Sequence, residues 1–135
     1  MRLTIDSFAW IELIRGTRLG IHAKDLIEAA EACFTPAIVI AEVAHKCVRE
    51  GLKQPQIQQE IRGMVESSAL VPIDPGLAVA AALATQELKE LAKALRLSQP
   101  GLGDGLVLAT TRRTGSRLLT GDPHFRELRE TVWLP

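Results

Sequence analysis

Four acidic residues stand where this chain has least reason to place a charge: Asp6, Glu42, Asp104 and Asp122. Asp6 closes the apolar opening Leu3-Thr4-Ile5, and Glu42 is the only charge between Pro36 and Ala44. Asp104 lies between two glycines and leads into Leu106-Val107-Leu108-Ala109, and Asp122 follows Leu118-Leu119-Thr120. A carboxylate at the edge of an apolar core loses hydration and must be compensated by a cation or by hydrogen-bond donors. Four carboxylates gathered by a fold would repel one another, and a divalent metal ion is the usual compensation. Such a cluster suits the hydrolysis of phosphate esters, in which a metal activates water and offsets charge on the phosphate. Each acid also has a plainer explanation. Asp6, Asp104 and Asp122 each precede a helix start, where an aspartate caps free N–H groups, and Asp122-Pro123 is a favoured start. Glu42 has no capping role, and its plain alternative is exposure to water. The joint pattern, with strand followed by Asp at both ends of the chain, favours a shared site.

The elements that must position these acids alternate between strand and helix, with no repeat or low-complexity segment. Residues 2–5 predict a short buried strand, followed by a helix from Ser7 to near Gly16. Residues 23–32 carry Leu26, Ile27 and Ala30 at helical spacing, with Cys33 next in the series, and residues 33–35 predict a second strand. Pro36 fits the first turn of a helix running through Glu50, with Gly51 as its stop. On that helix Ile40, Val43, Ala44, Cys47 and Val48 share one face, and Glu42, His45, Lys46 and Arg49 share the opposite one. A helix over 56–67, a strand over Leu70–Ile73 and a long helix from Ala78 to Leu97 come next. Asp104 then opens a helix ending near Gly115. Arg117–Thr120 predicts a strand, Pro123–Glu130 a short helix and Val132–Leu134 a last strand. The alternation predicts an α/β fold, a three-layer α/β/α sandwich with a mostly parallel central sheet, in a single domain over 1–135. In such sheets the site lies at the carboxyl ends of the strands.

Composition bounds the rest. The chain has 135 residues, 47% of them hydrophobic, with a mean hydropathy of +0.12, as expected of a soluble globular protein. No apolar run is long enough for a bilayer, and Asp6 and Glu12 break any signal-peptide pattern, so the expected compartment is the cytoplasm. Sixteen basic residues balance sixteen acidic ones, so net charge alone does not point to nucleic acid. Arg112, Arg113, Arg117, Arg126 and Arg129 lie near Asp104 and Asp122 in sequence, either as a basic rim for an anionic substrate or as a solvated helix face. Cys33, His45 and Cys47 fall short of the four ligands of a structural zinc site, and the two cysteines read as small core residues. The chain has no tyrosine and only 4% aromatic residues, which disfavours a stacking platform for single strands.

Four blocks resemble those of PIN domains, most closely those of VapC-type toxins. Leu3-Thr4-Ile5-Asp6-Ser7 is similar to the family's strand, Asp and small hydroxyl residue. Thr35-Pro36-Ala37-Ile38-Val39-Ile40-Ala41-Glu42 resembles its second block, Leu102-Gly103-Asp104-Gly105-Leu106 its third, and Leu119-Thr120-Gly121-Asp122-Pro123-His124-Phe125 its fourth. Phe8, Gly105 (where alanine is usual) and His124 depart from the pattern without removing an acid. The resemblance implies an endoribonuclease that uses one or two Mg²⁺ or Mn²⁺ ions to hydrolyse RNA phosphodiesters. It casts Asp6 and Asp104 as direct ligands, Asp122 as ligand to a second ion or through water, and Glu42 as the residue that orients the attacking water. It also implies a protein antitoxin as partner and a homodimer. The alternatives are a housekeeping PIN nuclease in RNA processing and an inactive PIN-like binding module. A phosphoacceptor receiver domain is disfavoured because no acidic pair follows the first strand. A dinucleotide-binding enzyme is disfavoured because Gly101-x-Gly103-x-Gly105 follows a loop, not a strand.

Overall fold

Leu3, Ile5, Leu118 and Leu119 lose nearly all contact with water, because the two strands that carry them run side by side at the centre of a sheet covered on both faces. A computed structural model describes residues 1–135. In chain order it comprises β1 (Arg2–Ile5), α1 (Ser7–Arg15), α2 (Arg18–Ala29), β2 (Ala32–Pro36), α3 (Ala37–Arg49) and α4 (Gln54–Ser67). These are followed by β3 (Ala69–Val71), α5 (Pro75–Ala94), α6 (Leu102–Arg113), β4 (Arg117–Thr120), a 3₁₀ turn over Pro123–Phe125, and β5 (Thr131–Trp133).

The five strands form one sheet in the order β3-β2-β1-β4-β5, and every pairing is parallel. The connections from β1 to β3 step one way across the sheet and the connection from β3 to β4 steps back. With right-handed crossovers, α1–α4 cover one face and α5–α6 the other. This is the three-layer α/β/α sandwich expected of the alternating pattern. No helix is long and apolar enough to cross a membrane.

Several boundaries differ from the sequence expectation, each for a local reason. The second helix begins at Arg18, not residue 23, because Gly16 ends α1 in the left-handed region and the Thr17 side chain accepts from Gly20 N to cap α2. Cys33 belongs to β2. Pro36 is the last residue of β2, aligned with Val71, and serves as N-cap of α3, a place where its missing N–H costs nothing. Val48 is exposed despite its apolar face, and the buried residues of α3 are Val39, Val43 and Cys47. Helix α5 starts at Pro75 because Asp74 accepts from Leu77 N. The segment after Pro123 is a single 3₁₀ turn.

Gly105 has a structural explanation that its weak helix propensity hides. Helices α5 and α6 pass so closely there that an added Cβ would lie 2.5 Å from the Ala81 carbonyl oxygen and would overlap Thr85 Oγ1. The Thr85 hydroxyl donates to that same carbonyl at 2.7 Å. The glycine sets the distance between the two helices and, with it, the position of the start of α6.

Candidate active site

The chain leaves β1 in one direction and β4 in the other, and such a reversal of strand order opens a crevice at the carboxyl ends of the strands. Asp6 directly follows β1 and Asp122 lies two residues beyond β4. Glu42 sits in the second turn of α3, the helix that leaves β2, and Asp104 in the first turn of α6. Helices α3 and α6 meet over the crevice: a Cβ on Gly103 would lie 3.5 Å from Glu42 Oε2 and 3.7 Å from Ile38 Cγ1. An alanine at 103 would sit in ordinary contact with the Glu42 carboxylate, so the two helices bring residue 103 and Glu42 side by side.

Three of the acids are held by local donors. Asp6 is the N-cap of α1 and nearly fully buried. Its Oδ1 accepts from Ser7 N at 2.8 Å, and its Oδ2 accepts from the Thr120 hydroxyl at 2.7 Å. Thr120 Oγ1 in turn accepts from Asp122 N at 3.0 Å, so one buried hydroxyl fixes Asp6 relative to Asp122. Asp122 Oδ1 accepts from His124 N at 2.9 Å and lies 2.8 Å from His124 Nδ1. His124 Nε2 lies 2.7 Å from the Ser98 carbonyl, which ties Asp122 to the loop before α6. Asp104 is not the cap expected from the sequence. It is the third residue of α6, and its Oδ2 reaches back to accept from Gly101 N at 3.1 Å. Thus capping and convergence prove compatible at Asp6 and Asp122. Thr120 joins two acids; the Thr-x-Asp spacing of the fourth block is its signal in the sequence. His124, a departure from the family pattern, is half-buried against Asp122.

The electrostatics show that the four acids share one space. Burial pushes Asp6 up to about 6; the Thr120 and Ser7 hydrogen bonds oppose this, and Asp122 and Asp104 add to it. Burial raises Glu42 to about 7, with Asp6, Asp104 and Asp122 all pushing the same way. Asp104 is raised by burial, against the hydrogen bond from Gly101, with Asp122 adding to the rise and His124 opposing it. For His124, burial works downward, but the Ser98 carbonyl and Asp122 outweigh it and the net shift is upward. Neither lysine nor arginine is among the principal influences on Asp6 or Glu42. His124, acting on Asp104, is the one basic side chain among the principal influences on these three acids.

A hard divalent cation fits this donor set of carboxylate oxygens. No three His, Cys, Asp or Glu side chains are grouped closely enough to hold a metal ion as they stand. Four of the five arginines read as a possible rim have other partners. Arg112 pairs with Glu87 and Glu130, and Arg113 with Asp74. Arg117 donates to the Thr131 carbonyl, and Arg126 stacks 5.0 Å over Trp133. Arg113 and Asp104 lie nine residues apart on α6, about 13 Å along its axis.

A PIN domain family model matches residues 3–130. No curated protein sequence matches the chain. Among solved structures, a toxin-antitoxin complex from Klebsiella pneumoniae is similar with a TM-score of 0.70 at 20% identity, covering 98% of each chain. VapBC2 from Rickettsia felis, bound to a DNA fragment from its promoter, gives 0.68 at 14% identity over 98% of this chain and 97% of that one. VapC20 from Mycobacterium tuberculosis, a sarcin-ricin loop cleaving toxin, gives 0.65 at 14% identity over 86% of both. At these identities the likeness is one of fold.

Proposed function

The chain belongs to the PIN domain family, and from that premise we propose that it is a divalent-metal-dependent endoribonuclease, the toxin of a toxin–antitoxin pair. The reading is carried by one observation: Asp6, Glu42 and Asp104, from three separate segments, are all raised by burial and by neighbouring acids, with Asp122 acting on each of them. Asp6, Asp104 and Asp122 would hold Mg²⁺ or Mn²⁺, with Glu42 beside them. A divalent ion there would lower the pKa of water and offset charge on the scissile phosphate.

The protein's own groups supply orientation. Ser7 N and the Thr120 hydroxyl fix Asp6, Gly101 N fixes Asp104, and His124 fixes Asp122. Burial, with Asp6, Asp104 and Asp122 adding to it, raises Glu42 in the metal-free chain. Beside a bound ion it would orient the attacking water. The sugar oxygen leaving the phosphorus would take a proton from solvent water as its bond to phosphorus breaks.

The same reading gives the chain a protein antitoxin, a second copy as dimer partner and a cytoplasmic setting. Two features support protein partners. A groove of about 340 Å³ has an apolar floor of Trp10, Leu13, Ile14, Ile27 and Met64 edged by Lys24, Glu28 and Glu60, and Val79 and Leu83 stand exposed on α5. The test is incubation of the purified chain with assorted RNAs, with Mg²⁺ or Mn²⁺ and with chelator. Metal-dependent cleavage that Asp104→Asn abolishes is the expected result. Absence of cleavage with either metal, or an Asp104→Asn variant as active as the parent, refutes the proposal.

A further inference from the structure

The basic rim that the arginines of α6 and β4 do not supply lies on α3. Glu42, Lys46 and Arg49 are four and three residues apart on one stripe of that helix, with His45 beside them. They line a groove of about 400 Å³ together with Ala41 and, from α1, Ile11. The groove starts at the Glu42 carboxylate and runs away from the acids. At a rise of 1.5 Å per residue, Lys46 lies about 6 Å and Arg49 about 10 Å beyond Glu42. At its far end Arg15 of α1 pairs with Glu50, which also stands 3.9 Å from Lys46. Arg49 is exposed and takes part in none of the ion pairs of the chain. At the end of the groove Arg15, Lys46 and Arg49 act on Glu50, and Glu12 acts on Arg15 as well, so three cations stand against two carboxylates there.

Resting on the nuclease reading above, we propose that the α1–α3 groove, through Lys46, Arg49 and His45, holds the backbone phosphates of the RNA strand next to the bond that is cut. A phosphodiester entering an acidic crevice is repelled unless its neighbouring phosphates are held by cations, and the groove supplies these on one side only. Phosphate contacts fix the register of a strand without reading its bases. The groove therefore determines which bond lies against the acids, and base preference arises elsewhere. Each phosphate that a single strand gives up to a lysine or arginine also releases counterions, which makes binding salt-dependent.

The test is fluorescence anisotropy of a labelled single-stranded uridine oligonucleotide with the full chain in chelator, so that no strand is cut, over a range of salt. Lys46→Ala/Arg49→Ala is expected to bind at least about tenfold more weakly at low salt. Its slope of log affinity against log salt should be shallower by about 1.4, two contacts at about 0.7 each. Arg49→Glu, which leaves the Lys46–Glu50 contact in place, is expected to lose affinity as well, and thermal unfolding checks that both variants fold. Arg129→Ala, which removes an exposed cation at the opposite ends of the strands, should bind like the parent. Unchanged affinity and slope in the groove variants, an equal loss in Arg129→Ala, or a parent without affinity for the oligonucleotide at low salt would each overturn the proposal. Cleavage by the parent with Mg²⁺ is scored separately. A chain that binds through the groove but never cuts refutes the nuclease reading alone, and a chain that cuts but binds independently of the groove refutes the groove alone.

Discussion

Without metal, this protein should lose stability as pH rises from 5 to 7.5, the reverse of ordinary acid denaturation. The cause is Asp6. Its carboxyl titrates near 3.8 in the unfolded chain and at about 6 when folded, so the folded state binds the extra proton between those values. Stability is then fully present below about pH 4 and falls as pH rises through the folded value. A move from 3.8 to about 6 corresponds to about 3 kcal/mol. Glu42 moves from 4.5 to about 7 and acts in the same direction, with a smaller effect because it is only half-buried and partly screened. His124, also raised, adds a loss above its unfolded value of 6.5. The carboxylates lowered by arginine partners, Asp74, Glu50 and Glu87, lose their contribution only at lower pH and leave this window clear. Asp6→Asn removes the charge but disturbs one of two hydrogen bonds, at about 1 kcal/mol. The variant should therefore be about 2 kcal/mol more stable than the parent at pH 7.5, and the advantage should shrink to about 0.5 kcal/mol at pH 5. Urea unfolding in chelator, followed by the buried Trp10, measures both. A parent as stable at pH 7.5 as at pH 5, or a variant less stable than the parent at pH 7.5, would refute the account of Asp6 as a carboxylate raised by burial.

Two further outcomes follow from the same geometry. Millimolar Mg²⁺ should raise the melting temperature at pH 7.5 and do so much less at pH 5, where the acids are partly protonated, by binding only the folded state; equal shifts in a thermal scan at the two pH values would count against binding at the acids. Gly105→Ala should destabilise the chain by about 1–3 kcal/mol despite alanine's better helix propensity, because overpacking forces α5 and α6 apart; a denaturation midpoint at or above the parent's would contradict the close approach at Ala81.

The sheet, and with it the placement of Asp6 and Asp122 just past strand ends, was legible in the sequence for a definite reason. Asp6 and Asp122 follow buried strands, and strands of a parallel sheet end on the same side, so sequence position translates directly into space. Glu42 was harder, because a helix wheel reports a face but not what the face meets. It took the contact of Gly103 with Ile38 and Glu42 to turn that stripe toward the crevice. The sequence left the arginines open between a rim and a solvated face, and for Arg112 and Arg113 nearness along α6 is not nearness to its first turn. The constraint on Gly105 was invisible, since it depends on Ala81 and Thr85 in another helix. The early start of α2 was readable in principle from Thr17 after Gly16, a cap that hydrophobic spacing overlooks.

Asp6 and Asp122 each begin a helical turn with the same carboxylate that faces the crevice. Asparagine and serine perform that backbone duty about as well as aspartate. Descendants of this chain can therefore shed their chemistry one substitution at a time without unravelling, and sequences bearing Asn or Ser at these positions should be well-folded proteins that grip nucleic acid or a partner without cutting.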